Sequence, residues 1–284
     1  MEIINRRARI SSLTRKLRRE NKTVGFVPTM GALHEGHLSL VKEARQMCDV
    51  VIVSIFVNPT QFNDQADFDK YPRDLTNDAA LLSEYQVDYI FAPNDEEIYP
   101  PDFSTFVYVE GLTEMLEGAS RPGHFRGVAT IVTILFNVIR PDFAYFGQKD
   151  AQQVAVVKRL TQDLGFDTEI IVMPTVREEN GLAMSSRNER LNPEEREKAS
   201  IIYRALREAK IAFKNGERNA ANLDEIVRKT IETEPLARID YVALVDNETF
   251  EPIEKIGESP VLIAVAVYFG EVRLIDNIVL NRRQ

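Results

Sequence analysis

Two histidines three residues apart, His34 and His37, stand inside residues 23–40, TVGFVPTMGALHEGHLSL. Imidazoles donate hydrogen bonds to phosphate oxygens, and at the start of a helix this spacing puts both rings on one side. The residues ahead of them read as a buried strand, Val24-Gly25-Phe26-Val27, ended by Pro28, which cannot donate to a sheet ladder. Met30-Gly31 makes a tight passage, and a helix is expected to start near Glu35 or Gly36. Strand, Gly-bearing turn and helix N-terminus together form an anion site, because unpaired N–H groups and the helix dipole face the turn. A histidine pair at this spacing is also an ordinary polar helix face. The chain has three histidines, and finding two of them in this turn favours the anion site.

A second strand–turn–helix follows later. A strand over 142–146 ends in Gly147-Gln148-Lys149-Asp150, and a helix is expected over 151–164. Gly147 lets backbone approach a ligand, Lys149 supplies a point charge for phosphate, and Gln153 faces back toward the turn. The run VVIVSIFV, residues 50–57, stops at Asn58-Pro59-Thr60-Gln61-Phe62. Open α/β sheets bind ligands at strand C-terminal ends, so Asn58 and Gln61 are candidates to hold a small polar substrate. The other reading is a capping turn, since Asn-Pro is a common loop starter. LEGASRPGHFRG, residues 116–127, carries Arg121, Arg126 and the third histidine, His124. It reads as a mobile cationic lid or substrate loop, or as a surface connector into an apolar helix over 128–139. Met184-Ser185-Ser186-Arg187 offers hydroxyls and a guanidinium to phosphate oxygens, or caps a helix.

The elements that must position these groups alternate. Helices are expected over 11–21 and 74–85, and strands over 50–57, 87–92, 105–109 and 168–173. Continuously apolar, β-branched strands separated by helices indicate an α/β fold: a Rossmann-like parallel sheet with helices on both faces. After residue 176 the chain changes character, to a long charged helix over 194–214, a helix over 223–233, and strands over 238–245, 261–269 and 272–280. The last two strands are joined at Gly270-Glu271, a two-residue hairpin turn. This predicts a first domain over 1–176 and a smaller α+β domain over 177–284.

The 284 residues suffice for two cores, and 44% hydrophobic with 28% charged residues is ordinary for a globular protein. One cysteine, Cys48, rules out an internal disulfide framework and is expected to pack on an early helix. The first residues, MEIINRRARISSL, have no signal-peptide core, and no apolar run has the length to span a bilayer. A cytoplasmic enzyme with no membrane partner fits. A net charge of −9 argues against non-specific nucleic-acid binding. A bound nucleotide therefore needs locally concentrated cations: Lys149, Arg187, Arg121, Arg126 and the histidines.

HEGH matches the H-x-G-H pattern of the nucleotidyltransferase superfamily. PTMGALHEGH, SIFVNPTQF, LEGASRPGHFRGVATIV, FGQKDAQQ and PTVREENGLAMSSRN, in this order, resemble the pantothenate synthetase (pantoate–β-alanine ligase) family over nearly the whole chain. That resemblance implies ATP-dependent condensation of pantoate with β-alanine through a pantoyl adenylate, releasing pyrophosphate and AMP. It implies that Met30, Gly31, Ala32, Leu33, His34, Glu35, Gly36 and His37 carry the ATP loop, with both histidines facing phosphates. Gly147, Gln148, Lys149, Asp150, Val176, Met184, Ser185, Ser186 and Arg187 complete the nucleotide site. Gln61 and Gln153 hold pantoate, and Gln61 also lies near β-alanine. Mg²⁺ accompanies ATP, no dedicated protein metal site is implied, and the family forms homodimers through the first domain. The catalytic set on this reading is His34, His37, Lys149 and Arg187, with Asn58 and His124 near the substrate. Closure of the second domain and its Met184–Arg187 edge would exclude water from the adenylate, and the Gly-rich basic residues 120–127 are expected to move during turnover. The rival readings are an adenylyltransferase acting on a phosphorylated substrate, against which the uncharged amides of NPTQF argue, and a non-catalytic nucleotide sensor.

Overall fold

Phe26 and Val27, adjacent and both fully buried, show how the first sheet is built. Neighbouring strand residues point to opposite faces. Val27 packs with Leu38, Val41 and Ala44 of one helix. Phe26 meets Phe136 of another, edge to face at 6.4 Å. A sheet covered on both faces needs strands with apolar residues on both sides, which Val50, Val51, Ile52 and Val53 supply.

The computed structural model describes residues 1–281. Strands β1 (Glu2–Ile4), β2 (Val24–Thr29), β3 (Val50–Ile55), β4 (Tyr89–Phe91), β5 (Phe143–Gly147) and β6 (Glu169–Met173) form a sheet in the order β1-β4-β3-β2-β5-β6. Every pairing in it is parallel. Helices α1 (Arg7–Arg19), α2 (Glu35–Met47), α3 (Gln65–Lys70), α4 (Leu75–Glu84), α5 (Asp95–Ile98), α6 (Glu117–Ser120), α7 (His124–Ile139) and α8 (Ala151–Asp163) connect the strands. The chain steps from β2 to β3 on one side and returns to β5 on the other. The topological switch point therefore lies between β2 and β5, whose pairing covers only Gly25 with Phe143 and Phe26 with Ala144.

Helices α9 (Pro193–Lys198), α10 (Ile201–Lys214) and α11 (Ala220–Glu232) precede an antiparallel sheet of β7 (Ala237–Asp246), β8 (Val261–Phe269) and β9 (Val272–Leu280). Leu206 and Ala209 of α10 and Leu223, Val227 and Ile231 of α11 share a core with Ile263, Val265 and Val267 of β8. Backbone packing divides the chain into two units: Met1–Gly147 with Val156–Met173, and Gln148–Ala155 with the chain from Pro174 onward. The short segment joins the second unit because Asn277 of β9 donates to the carbonyls of Gln148 and Lys149, at 3.0 and 2.8 Å.

The fold class is the one expected, and several local expectations are corrected. Pro28 lies inside β2, paired with Ser54. It is tolerated because β2 has parted from β5 before reaching it. Residues 105–109 form no strand; the Val107 N–H donates instead to Thr130 Oγ1 at 3.0 Å. Helix α7 starts at His124, not at 128. The long helix over 194–214 is broken at Ala199-Ser200, where Ser200 Oγ turns back to the Glu197 carbonyl at 2.7 Å. Cys48 is the residue that ends α2, buried against Gly25 and 3.4 Å from the Tyr145 hydroxyl.

Candidate active site

At the switch point β2 runs into Met30-Gly31-Ala32-Leu33. Gly31 and Ala32 both adopt left-handed backbone, with φ of 82° and 50°. Gly31 is required on two counts, since a Cβ there would lie 2.8 Å from Asp78 Oδ2. Asp78, on α4 and 1% exposed, holds this loop. Its Oδ2 accepts the Ala32 N–H at 3.1 Å and its Oδ1 accepts the Leu33 N–H at 2.9 Å. Burial pushes the Asp78 carboxyl above its ordinary value, against the pull of those two N–H groups. Thr29 Oγ1 completes the support, accepting the Gly31 N–H at 3.2 Å and donating to the Ser54 carbonyl at 2.7 Å.

The loop delivers the chain into α2, which the two histidines cap reciprocally. His34 is the N-cap, and its Nδ1 accepts the Gly36 N–H at 3.1 Å. His37 Nδ1 accepts the His34 N–H at 3.4 Å. The rings lie 4.2 Å apart between centroids. Because each Nδ1 is an acceptor, each neutral ring carries its proton on Nε2. Two imidazole N–H donors thus stand at the positive end of a 13-residue helix. The other reading of the pair, an ordinary polar helix face, does not describe it: both rings are engaged in the helix cap.

Beyond the end of β3, Pro59–Gln61 forms one 3-10 turn. Asn58, 1% exposed, donates to Gln61 Oε1 at 3.0 Å and to the Gly127 carbonyl at 3.2 Å. Its Oδ1 accepts from the hydroxyls of Thr60 and Tyr99, at 2.9 and 2.8 Å. Asn58 therefore supports Gln61, whose Nε2 lies 2.8 Å from Met30 Sδ. His124 is buried, with Nδ1 2.8 Å from the Gln61 carbonyl and Nε2 3.3 Å from Arg121. The stretch over 116–127, expected as a lid or substrate loop, is packed in part. Glu117, Gly118, His124 and Phe125 are buried, and a Cβ on Gly127 would sit 2.4 Å from the Thr60 carbonyl.

In the second unit, Gln148–Asp150 forms a 3-10 turn, and Gln148 Nε2 donates to Asn277 Oδ1 at 3.0 Å. Lys149 Nζ lies 3.4 Å from Asp150 Oδ1. Val176 and Met184 are brought together across a hairpin, the Met184 N–H reaching the Val176 carbonyl at 3.0 Å. Ser185 caps the 3-10 turn Ser186–Arg190 by accepting the Arg187 N–H at 3.3 Å. Within the hairpin, Arg177 grips Asp276 at 2.5 and 3.0 Å while lying 3.7 Å over the Tyr203 ring. Burial pushes the Asp276 carboxyl up, and the guanidinium opposes it. Gln153 is half-buried in the first turn of α8.

Asp78, Tyr99, Arg177, Asp276 and Asn277 escaped the sequence reading. The Asp276-Asn277 pair had a visible signal, two polar residues interrupting the apolar strand LIDNIVL. Asp78 had none, because an acid on a polar helix reads as solvated.

A parallel sheet with a histidine-capped helix N-terminus at its switch point defines an α/β nucleotide-binding protein. Residues 2–279 match the family described as Pantoate-beta-alanine ligase. The chain is 52% identical over 282 residues to the pantothenate synthetase of Pelotomaculum thermopropionicum and 54% identical over 282 residues to that of Heliobacterium modesticaldum, covering 99% of this chain and all of each relative. The crystal structure of pantothenate synthetase from Thermus thermophilus superposes with a TM-score of 0.90 at 46% identity, over 98% of this chain and 99% of that one. A pantoate-β-alanine ligase from Francisella tularensis, complexed with beta-gamma ATP and β-alanine, gives 0.80 at 39% identity, over 98% of this chain and 97% of that one. The chain belongs to the pantoate–β-alanine ligase family. It is a ligase of pantothenate biosynthesis.

Proposed function

We propose that the chain joins pantoate to β-alanine in two steps at the β2–α2 turn. The reciprocal histidine cap at the switch point carries this reading. In the first step the pantoate carboxylate attacks the ATP α-phosphorus and pyrophosphate leaves. In the second the β-alanine amine attacks the acyl carbon of the adenylate, AMP leaves with the bonding pair, and the amine loses a proton. Attack of an anion on a polyphosphate is opposed by charge, so donors aimed at the phosphates lower the barrier. Nε2–H groups on His34 and His37, with residues 30–37 behind them, fit that task. Lys149 and Arg187 supply cations to the nucleotide, alongside Gly147, Gln148, Asp150, Val176, Met184, Ser185 and Ser186. Gln61 and Gln153 hold pantoate, and Gln61 lies near β-alanine.

Among the described residues no group of three or more His, Cys, Asp or Glu side chains is placed to hold a metal ion. Mg²⁺ that arrives with ATP is bound chiefly by phosphate oxygens and water and needs no such cage. Bound there, Mg²⁺ would offset phosphate charge.

A cytoplasmic location suits a biosynthetic ligase of this family. No described helix is long and apolar enough to cross a membrane. The exposed aromatics Phe106 and Tyr108, on an extended segment without a partner strand among the described residues, suit pairing with a second copy in a homodimer. Sedimentation of the intact chain tests this: a monomer at micromolar concentration would refute it.

The test of the reaction is pyrophosphate release from ATP and Mg²⁺ with pantoate alone, then with β-alanine. A pantoate-dependent burst that becomes steady AMP and pantothenate formation supports the reading; no pantoate-dependent release from folded protein overturns it. Because a carboxylate nucleophile has no proton to lose, His37 acts on phosphate charge. His37→Ala should slow adenylate formation in single turnovers far more than it weakens ATP binding, and equal losses would refute that role.

A further inference from the structure

The turn that carries Gln61 holds a chain of buried hydrogen bonds whose direction is determined at one end. The Gly127 backbone carbonyl can only accept, and Asn58 meets it at 3.2 Å. The Asn58 atom facing it is therefore the amide nitrogen. The Asn58 oxygen then lies on the opposite side, where the Tyr99 and Thr60 hydroxyls converge on it at 2.8 and 2.9 Å. The second N–H of Asn58 points to Gln61 at 3.0 Å, so the Gln61 atom there is its oxygen. The other end of the Gln61 amide is by elimination its NH₂, now resting 2.8 Å from Met30 Sδ, a weak acceptor that a ligand oxygen would displace.

We propose that Tyr99 is a positioning residue: with the Gly127 carbonyl it sets, through Asn58, the polarity of the Gln61 amide, so that the site presents an NH₂ donor and selects a substrate bearing an acceptor oxygen, a carboxylate or hydroxyl of a hydroxy acid. Turning the Gln61 amide over would set two NH₂ groups face to face beside an Asn58 that is 1% exposed, where no solvent relieves the mismatch. Turning Asn58 over as well would set its oxygen against the Gly127 carbonyl. That carbonyl lies close against the turn, because Gly127 packs directly on the Thr60–Gln61 backbone with no room for a side chain between them. The Tyr99 hydroxyl is a dependable donor: burial pushes its pKa up to about 12, so it keeps its proton at any pH where the enzyme works. Its ring is wedged between Phe56 and Phe103, with centroids at 6.2 and 5.0 Å, which fixes where the hydroxyl points.

The inference rests on Gln61 facing pantoate, and three variants separate the two. Gln61→Glu replaces the donor end with a carboxylate; it should raise the pantoate KM or abolish turnover, and an unchanged pantoate KM would show that Gln61 does not face this substrate. Tyr99→Phe removes only the hydroxyl. Its pantoate KM should rise about five- to tenfold, the share of one hydrogen bond, with the ATP KM unchanged. A merely loosened fold lowers the active fraction and moves neither KM. Asn58→Asp keeps the shape but cannot donate to Gly127 or Gln61, and should raise the pantoate KM further than Tyr99→Phe does. If Gln61→Glu is impaired while Tyr99→Phe leaves both KM values unchanged, or shifts both alike, the polarity relay is wrong. If Asn58→Asp does not fold, Tyr99→Phe alone decides.

Discussion

Replacing Asp78 by Asn should disable the nucleotide loop while leaving the second half-reaction nearly intact. Both carboxyl oxygens are in use, one on the Ala32 N–H and one on the Leu33 N–H. An amide of the same shape keeps one acceptor and sets its NH₂ against the other N–H. One buried backbone donor is then unsatisfied, a loss of about 1–3 kcal/mol. Relief of the buried charge offsets part of this, leaving about 1–2 kcal/mol at neutral pH, or a Tm lower by about 2–8 °C. The functional loss should be larger than the stability loss. Ala32 sits at φ 50°, a conformation that costs a non-glycine residue about 1–2 kcal/mol and that Asp78 holds in place. Released, the loop no longer delivers His34 to its N-cap position. Adenylate formation in single turnovers should fall about ten- to a hundredfold, since each 1.4 kcal/mol is about a factor of ten. Conversion of supplied pantoyl adenylate with β-alanine should stay near wild type. The pH dependence has a definite sign. Burial raises the Asp78 pKa, so its stabilising contribution is fullest when protonated and falls as pH rises through the raised value. The stability gap between wild type and the Asn variant should therefore be widest in acid and narrow toward neutrality. An Asp78→Asn protein with wild-type adenylation per folded molecule would refute the assignment, whatever its Tm.

Two further outcomes follow from contacts in the two units. Arg177→Ala strands Asp276, 3% exposed, without its counter-ion, and should cost about 3–5 kcal/mol in urea unfolding of the second unit; replacing both residues by apolar ones should recover most of that loss, and an additive double variant would show the pair is uncoupled. Gly127→Ala places a Cβ 2.4 Å from the Thr60 carbonyl and must push the Asn58–Gln61 turn aside, so its pantoate KM should rise while its ATP KM stays put; matched changes in both would show the turn serves no single substrate.

Much of the site was legible because the chemistry lay in contiguous strings. The spacing of His34 and His37 in the sequence points to a phosphate-facing pair, and the strand, turn and helix that hold them run in one unbroken stretch. Asn58 and Gln61 were read from their place at the end of β3. Their difference in role was not legible, since it depends on Gly127 and Tyr99, which arrive from distant parts of the chain. His124 is the last histidine of the chain and lies in a glycine-rich basic stretch. That composition suggested mobility, but Gly118 and Gly127 are pressed against the backbone of Thr113 and Thr60, and Phe125 is buried. Local composition carries no information about such neighbours.

By itself the sequence determined the alternation of elements, the buried character of the parallel strands, the hairpin at Gly270 and the family to which the chain belongs. Those follow from period, propensity and short motifs, which are local. Only the tertiary structure decided that Asp78 holds the histidine loop, that the histidines cap each other and so carry their protons on Nε2, and that Tyr99 faces Asn58. It also decided that residues 105–109 find no strand to pair with among the described residues, and that Asn277 draws the Gln148–Asp150 turn into the second unit. The physical reason is common to all of these. A hydrogen bond between residues dozens of positions apart is worth little until the core brings them together, and it then determines which atom of a side chain faces the substrate.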